Sequence, residues 1–549
     1  MKRRKFIKKF ISCCMAALAM AAAGCAQVSD EIPGDVSDDR ELFTDISHVT
    51  DMTGNDSGQA VINPDLSDIF GEEAEAVGGE IENGEETERS PVSEPMTDIS
   101  RITETVVPEA AEGEITEDTV AGSAAGTAAR MSADISVQTS SETASTTTWA
   151  DVTVVKIPKI RTTEETLAVT DNGEQYTEGG YYPTSGYYPL NFNEQKAVWF
   201  SYLEYDRLMR GKTREEFTSG LGTCFDNAAA LGINTIYFQV RAYGDAYYRS
   251  DLFPTADRLT GDYDPLEIAV KEAHDRGLSI HAWVNPMRLM TDSQMAGVSE
   301  EYLIGQWYAS ESARGTIIVN HSGRWYLSPA YREAVSLICN GISEIVTGYN
   351  VDGVQIDDYF YPTTDEAFDK AAYESSGSTL PLADWRREIV TEMVRSIYSA
   401  VHSANPKAVF GISPSGNVAN DRDQMYADVE KWLDEAGCCD YICPQIYYGF
   451  ENDSLPFAAA CDEWSGLIKR DDIKLVIGLA AYKSGLEDKY AGSGRYEWQE
   501  HTDILARQQQ TANAYSAGVA FFRYDSLFLP DPAVAVSVTA ELEGLRAMR

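Results

Sequence analysis

Apolar and polar residues follow two different patterns along the chain, and the change falls near residue 190. Before it, stretches such as GEEAEAVGGEIENGEETERS show no sustained apolar period. Such a segment cannot bury enough apolar surface to offset the entropy of ordering, so we predict a disordered acidic linker over 25–190. A small β module near 148–190 is the alternative. The run GGYYPTSGYYPLNF, which ends near 192, is expected to lie against the folded body.

Beyond residue 190, short apolar runs alternate with amphipathic runs of helical spacing. Strands are predicted at 197–202, 234–240, 279–284, 351–356, 408–412, 440–446, 474–479 and 518–523. Helices are predicted after them at 214–231, 264–276, 331–347, 384–403, 423–437, 453–469, 497–516 and 533–547. Eight such βα units are typical of an α/β fold of the (β/α)8, or TIM, barrel class, here over 191–549. The longest connections are 286–330 and 359–383.

A doubly wound open sheet is the rival architecture for alternating strands and helices. It would require a Gly-rich phosphate loop after an early strand, and the sequence contains neither GxGxxG nor GxxxxGK[ST]. The barrel is therefore favoured, and no cofactor is predicted. The few His residues lack a two-His ligand spacing and the Cys residues form no CxxC pair, so no metal site is predicted either.

The amino end has the pattern of a secretory signal. A basic start, MKRRKFIKKF, is followed by an apolar run that ends at Ala23, too short for the roughly 20 residues of a spanning helix. The sequence Ala22-Ala23-Gly24-Cys25 then resembles the lipobox of bacterial lipoproteins. The resemblance implies a signal peptide over 1–24, lipidation of Cys25 and an extracytoplasmic protein anchored to the cell membrane by lipid. The alternative is an ordinary cleaved signal with a chance Cys.

The formal net charge of the chain is −43. A chain of this charge repels nucleic acid, so no nucleic-acid partner is expected.

Polar residues stand at the ends of the predicted strands, where a TIM barrel builds its active site. Period-two alternation places Gln355 and Asp357 inward and Asp358 toward the helices, and it pairs Gln239 with Arg241. The candidate binding residues are Glu204, Gln239, Arg241, Trp283, Asn285, Arg288, Gln355, Asp358, Tyr359, Gln445 and Tyr447. Amides, guanidinium groups and aromatic rings that converge in this way suit a carbohydrate cleft.

Several of these residues also have an ordinary structural interpretation. A strand-end Gln is commonly a core amide, and His281 is predicted to be a hydrogen-bonded core residue. Trp283 fits simple packing equally well. The adjacent carboxylates Asp357 and Asp358 differ, because two buried acids at a strand end are unfavourable unless they are paired or used.

Ordered blocks along the body resemble the glycosyl-hydrolase-like family ten of bacterial secreted proteins. The blocks are KAVWFSYLEY, NTIYFQVRAYGDAYYRSDLFP, IHAWVNPMR, VDGVQIDDYFYP, FGISPSGN, DYICPQIYYGF and IGLAAYKSG. The resemblance implies a (β/α)8 glycoside hydrolase that acts on peptidoglycan glycan strands or a similar β-linked polysaccharide.

A glycosidase needs two carboxyl groups at the scissile bond. We predict that Asp357 is one of them, as nucleophile or general base, held ionised by Arg241 or by neighbouring amides. Asp245 is favoured as the second, ahead of Glu204 and Glu451. The alternative function is a non-catalytic, glycan-binding surface lipoprotein, which predicts no second carboxyl facing Asp357.

Overall fold

A computed structural model describes residues 187–548, together with the backbone of 168–169 and 175–176. The predicted signal peptide, Cys25 and most of the predicted linker lie outside the described residues, and the domain boundaries stay predictions. Within the linker, strands β1 (Ala168–Val169) and β2 (Gln175–Tyr176) pair antiparallel. In the part of the chain that the structure describes, no helix combines the length and apolar character needed to cross a bilayer.

Parallel strands close into a barrel. The remaining strands are β3 (Gln195–Phe200), β4 (Thr235–Arg241), β5 (Ser279–Val284), β6 (Arg288–Thr291), β7 (Ile318–His321), β8 (Arg324–Leu327), β9 (Gly353–Ile356), β10 (Val409–Ile412), β11 (Tyr441–Ile442), β12 (Lys474–Leu475), β13 (Ile477–Leu479) and β14 (Gly518–Phe521). All but β6–β8 belong to one sheet, in the order β12-β11-β10-β9-β5-β4-β3-β14-β13. Strands β12 and β13 are halves of one strand split at Val476, and Gly478 N–H of β13 donates to Pro444 O beyond β11, so the ring closes. The predicted TIM barrel and its eight strands are confirmed.

Helices cover the barrel. They are α1 (Tyr202–Leu208), α2 (Arg214–Ala230), α3 (Pro265–His274), α4 (Asp292–Met295), α5 (Leu303–Ala309), α6 (Arg332–Gly348), α7 (Lys370–Ser376), α8 (Leu382–Ala404), α9 (Val418–Asp423), α10 (Val429–Asp434), α11 (Phe457–Leu467), α12 (Glu497–Glu500), α13 (Ile504–Ala512), α14 (Tyr524–Phe528) and α15 (Ala535–Ala547). Their starts have local causes: Thr213 forms a capping box for α2, and Asp264 caps α3 ahead of Pro265. The single helix predicted at 497–516 is instead two helices, because the buried Glu541 carboxylate accepts the first amides of α13.

Inside the barrel, aromatic side chains fill the core beneath the carboxyl ends of the strands. Trp199, Tyr237, Trp283 and Tyr441 pack there with small residues. His281 shares hydrogen bonds with the Tyr441 hydroxyl and Asn191, and burial lowers its pKa to about 4. The prediction of a core histidine is therefore confirmed.

The amino end of the barrel is closed by the segment that enters it. The Tyr187 hydroxyl and the Leu190 N–H each donate to Asp352 Oδ1 at 2.5 Å, and Asn191 donates to the Asp352 carbonyl. The described part of the Gly/Tyr/Pro run therefore lies against the body, as predicted.

Two insertions rise above the carboxyl ends of the strands. The first, 286–330, folds into the antiparallel sheet β6-β8-β7 with α4 and α5. The second, 359–383, contains α7 and is anchored by a buried ion pair between Arg386 and Asp369. The first insertion brings Arg288, at the start of β6, to the mouth of the barrel.

Candidate active site

Asp357 lies just past the end of β9 and points into the barrel mouth, as the alternation predicts. Its side chain is 3% exposed, and Oδ2 accepts a hydrogen bond from Trp283 Nε1 at 2.9 Å. Trp283 belongs to the neighbouring parallel strand β5, where it lies opposite Gln355 of β9. This register places the indole beside the carboxyl of Asp357. The contact joins a deeply buried acid to one strong donor.

Asp358 also reaches the mouth, which corrects the prediction that it faces the helices. Strand β9 ends at Ile356, so the period-two rule no longer applies two residues later. Gln445, just beyond β11, donates from Nε2 to Asp358 Oδ1 at 2.9 Å. Asp358 keeps partial exposure, whereas Asp357 is buried. Two consecutive carboxyls thus share the same opening.

The pair holds a proton more tightly than free carboxyls do. Burial raises the pKa of Asp357 well above its usual range, and the neighbouring Asp358 raises it further, while Trp283 and Arg288 oppose the shift. Burial likewise raises the pKa of Asp358, against the hydrogen bond from Gln445. Because two close carboxyls resist joint ionisation, the arrangement favours one neutral acid beside one carboxylate.

Arg288 is the cation of the mouth. Its guanidinium carbon lies 4.0 Å from the ring centre of Tyr359 and 4.6 Å from that of Tyr243. Its charge lowers the pKa of both Asp357 and Asp358. This is the role that the sequence analysis gave to Arg241.

Arg241 points away from the mouth, and the prediction that it holds Asp357 ionised is wrong. A register shift between Gln239 and Arg241 breaks the alternation of β4. The guanidinium lies 4.3 Å from the Phe253 ring and packs against Gly341 of α6, in the helix layer. No residue pattern around Gln239 and Arg241 indicates the bulge.

The strand-end amides point inward as predicted but mostly bond to the protein. Gln239 accepts from the Tyr202 N–H at 2.8 Å and donates to Asn285 at 2.9 Å. Gln355 accepts from Trp199 Nε1 at 2.7 Å and is fully buried, so its predicted contact with substrate is corrected to a core role. These amides support the mouth from below.

Asp245 and Glu204, the candidates for a second carboxyl, bond within the scaffold instead. Asp245 Oδ1 accepts the Tyr243 N–H at 2.9 Å in its own loop, and burial raises its pKa. Glu204 caps α1 by accepting from Ser201 and forms an ion pair with Arg523 at 2.5 Å. Glu451 is exposed beyond β11. The carboxyl beside Asp357 is therefore Asp358.

An aromatic wall that the sequence analysis did not single out borders the mouth. Phe522 follows β14, and its ring centre lies 5.9 Å from that of Tyr447, 6.1 Å from that of Tyr482 and 6.5 Å from that of Trp283. Tyr447 was predicted as a candidate. Phe522 also lies near the end of a predicted strand, so the same strand-end position that identified Tyr447 could have identified it.

A further buried acid was also overlooked. Asp421 of α9 accepts the Ser415 N–H at 3.0 Å. Burial raises its pKa well above the usual range, and Asp358 raises it further. A raised pKa favours the neutral, protonated form of Asp421 beside the pair.

Known proteins share this body. The family model described as Glycosyl hydrolase-like 10 matches residues 196–491. Glycosyl hydrolase DigH of Escherichia coli (strain K12) is 32% identical over 341 residues, which cover 57% of this chain and 76% of DigH. The chain belongs to the Glycosyl hydrolase-like 10 family. Glycosyl hydrolase YngK of Bacillus subtilis (strain 168) is 33% identical over 322 residues, covering 53% of this chain and 61% of YngK.

Solved structures with a similar arrangement include the PgaB (BpsB) glycoside hydrolase domain from Bordetella bronchiseptica. It has 14% sequence identity and a TM-score of 0.43, and the match covers 64% of this chain and 98% of that domain. The endo-1,4-beta-mannanase from Rhizomucor miehei has 12% identity and a TM-score of 0.38, with 65% and 95% covered.

The Glycosyl hydrolase-like 10 match confirms the resemblance inferred from the sequence blocks. Its range includes Asp357, Asp358, Arg288 and Gln445. Phe522 lies beyond its end. The carboxyl pair and its donors therefore fall within the part of the chain that the family shares.

Proposed function

We propose that this chain is a glycoside hydrolase of the cell envelope that cleaves glycosidic bonds in a polysaccharide, with peptidoglycan glycan strands as the first substrate to test. The observation that carries the proposal is the pair of consecutive carboxyls at the barrel mouth. Trp283 orients Asp357 and Gln445 orients Asp358. Glycoside hydrolysis uses one protonated and one ionised carboxyl, which is the state that this pair favours.

The two carboxyls have distinct roles in this proposal. Asp357 is the more deeply buried, and burial raises its pKa most, so it serves as the acid that protonates the leaving oxygen. Asp358 is partly exposed and accepts from Gln445, so it serves as the ionised partner. This reverses the role predicted for Asp357 from the sequence and replaces Asp245 as its partner.

The non-catalytic alternative is a lipoprotein that only binds glycan. That function needs the aromatic rings and amides but no second carboxyl beside Asp357. The position of Asp358, hydrogen-bonded into the same opening, favours the hydrolase. The relatives DigH and YngK are both named glycosyl hydrolases, which agrees with this choice.

The direct test is turnover of defined polysaccharides, including peptide-free peptidoglycan strands, by the full chain. We expect Asp357→Asn and Asp358→Asn each to lower kcat/KM by about 10²–10⁴-fold. Asp245→Asn is the matched control, because it makes the same change in a buried acid bonded within its own loop. Full activity of Asp357→Asn, or no turnover of any glycan by the unaltered chain, would reject the hydrolase proposal.

We further propose that Cys25 carries the lipid that anchors the protein outside the cytoplasm. The support is the Gly24-Cys25 ending of the apolar run. Expression with a labelled fatty acid tests this directly. Label and membrane fractionation should both be lost in Cys25→Ala, whereas Cys224→Ala, which changes a buried Cys of the body, should keep both.

A further inference from the structure

Arg288 has no hydrogen bond or ion pair with any residue that the structure describes, although it is only 7% exposed. Two other buried guanidinium groups above the barrel are engaged: Arg386 binds Asp369, and Arg324 donates to the Leu289 carbonyl. Arg241 also has unpaired guanidinium nitrogens, but it lies in the helix layer, away from the mouth. Burying an arginine without a partner is unfavourable. Its five N–H donors are therefore available to a group that enters the mouth.

The two tyrosines define the direction in which those donors point. Tyr359 and Tyr243 each present a ring within 5 Å of the guanidinium carbon of Arg288. A guanidinium stacked on rings loses hydrogen-bonding access along its faces, so its N–H groups are directed outward in the plane of the fork. That fork matches a carboxylate in a bidentate manner.

The two carboxyls at the mouth have hydrogen-bond partners other than Arg288. Asp357 bonds to Trp283, and Asp358 bonds to Gln445. Arg288 influences both electrostatically, but neither forms an ion pair with it. That electrostatic effect leaves the N–H donors of Arg288 without an acceptor, and a neutral sugar chain offers them no charged one. A sugar with its own carboxylate would pair with the guanidinium directly.

We propose that Arg288 is a specificity-determining residue that recognises a carboxylate substituent on a sugar next to the scissile bond. The inference rests on the proposed function and narrows its substrate class to acidic glycans. The carboxylate has two possible sources, the lactyl ether of a muramyl sugar in peptidoglycan strands or the C6 carboxyl of a uronic acid. Both offer the same two acceptor oxygens.

The test compares matched glycans on the full chain. One set is peptide-free peptidoglycan strands and the same strands with their carboxyls reduced to alcohols. A uronic-acid polysaccharide and neutral chitin oligosaccharides complete the panel. A charge-assisted hydrogen bond is stronger than a neutral one, so we expect kcat/KM to be about 10–100-fold higher on the acidic strands than on the reduced ones. The uronic-acid arm identifies the source.

Variants of Arg288 then assign the preference. Arg288→Gln should bring the acidic-to-reduced ratio close to one, and Arg288→Lys should keep part of it, because lysine retains the charge but not the fork. Because Arg288 also acts on the carboxyl pair, absolute rates will fall on every substrate, and the ratio is the decisive readout. Arg258→Gln is the control, since Arg258 lies near Tyr202 but already pairs with Asp206. Thermal unfolding shows whether each variant folds.

The possible failures can be told apart. An unchanged acidic-to-reduced ratio in Arg288→Gln, or equal turnover of both strands by the unaltered chain, would overturn the role of Arg288 and leave the hydrolase intact. If nothing is cleaved, the hydrolase proposal fails, and fluorescence titration with the same strands tests Arg288 through binding alone. Equal binding of acidic and reduced strands would then overturn it.

Discussion

The two ends of strand β9 each hold a buried aspartate, and their surroundings differ. At the amino end, Asp352 accepts from the Tyr187 hydroxyl, the Leu190 N–H, the Ile280 N–H and the His274 ring, so both oxygens are fully used. At the carboxyl end, Asp357 accepts one strong hydrogen bond, from Trp283, and a second carboxyl lies beside it. The aspartate at the amino end therefore uses all of its acceptors to close the barrel, whereas the aspartate at the carboxyl end keeps unused hydrogen-bonding capacity.

The difference shows how one strand serves two purposes. A carboxylate whose acceptors are all satisfied has no capacity left for a substrate, and it ties the entering segment to the barrel. An acid that is buried but under-bonded is unfavourable in the folded state and is available for proton transfer. This matches the general division of TIM barrels into a stabilising amino face and a catalytic carboxyl face.

The largest effect is expected from Asp352→Asn. The amide can accept with only one oxygen, so its NH2 group faces two donors, and each buried unsatisfied group costs about 1–3 kcal/mol. We expect the free energy of unfolding to fall by about 3 kcal/mol in a denaturant titration. Asp357→Asn is the matched control at the other end of the same strand. Equal destabilisation by the two changes would remove the contrast between the ends.

The next effect concerns the donor to Asp357. Trp283→Phe keeps an aromatic ring but removes the N–H that stabilises the carboxylate formed when Asp357 gives up its proton, and a hydrogen bond to a charged group contributes about 1.5–3 kcal/mol. We expect kcat/KM to fall about 10–100-fold. Because Trp283 lowers the pKa of Asp357, the ionisation of Asp357 in the pH profile should move to higher pH. Trp464→Phe, a buried indole bonded to the Gly416 carbonyl away from the pair, should leave the profile in place.

A smaller effect of opposite sign is expected for the stability of Asp357→Asn. Burial raises the folded pKa of Asp357 above the unfolded value, so its contribution to stability is fully present below about pH 3.9 and is lost as pH rises through the folded pKa. At pH 7 the native aspartate is therefore destabilising. We expect the variant to gain about 1 kcal/mol at pH 7 and to lose that gain toward pH 4. A loss of stability in Asp357→Asn at pH 7 would show that the native Asp357 does not destabilise the fold at that pH.

The parts of the fold that depend on regular periodicity could be predicted from the sequence. All eight barrel strands follow from their apolar runs, and Asp357 was placed correctly because β9 is regular up to Ile356. The rule failed where the backbone departs from the pleat. Arg241 follows a bulge, and Asp358 lies beyond the strand end. Neither irregularity has a residue pattern of its own here.

Other features of the site depend on contacts between distant segments. The pairing of Trp283 with Asp357 requires the register of two strands, and the place of Arg288 requires the folding of a whole insertion. One error was avoidable. Ser201 and Glu204 stand in the S-x-x-E order of a capping box, which already indicates that Glu204 serves the start of a helix rather than the chemistry.

The smallest effect separates the two ends most cleanly. Tyr187→Phe removes one of the four donors to Asp352, while Leu190, Ile280 and His274 keep theirs. We expect a loss of about 0.5–1.5 kcal/mol in the free energy of unfolding, the usual net contribution of one hydrogen bond. Tyr188→Phe is the control, because that neighbouring ring is 71% exposed. Since the closure lies at the opposite end of the barrel from Asp357, kcat/KM and its pH profile should not change. A shift of the pH profile in Tyr187→Phe would mean that the closed end of the barrel sets the acidity of the open one.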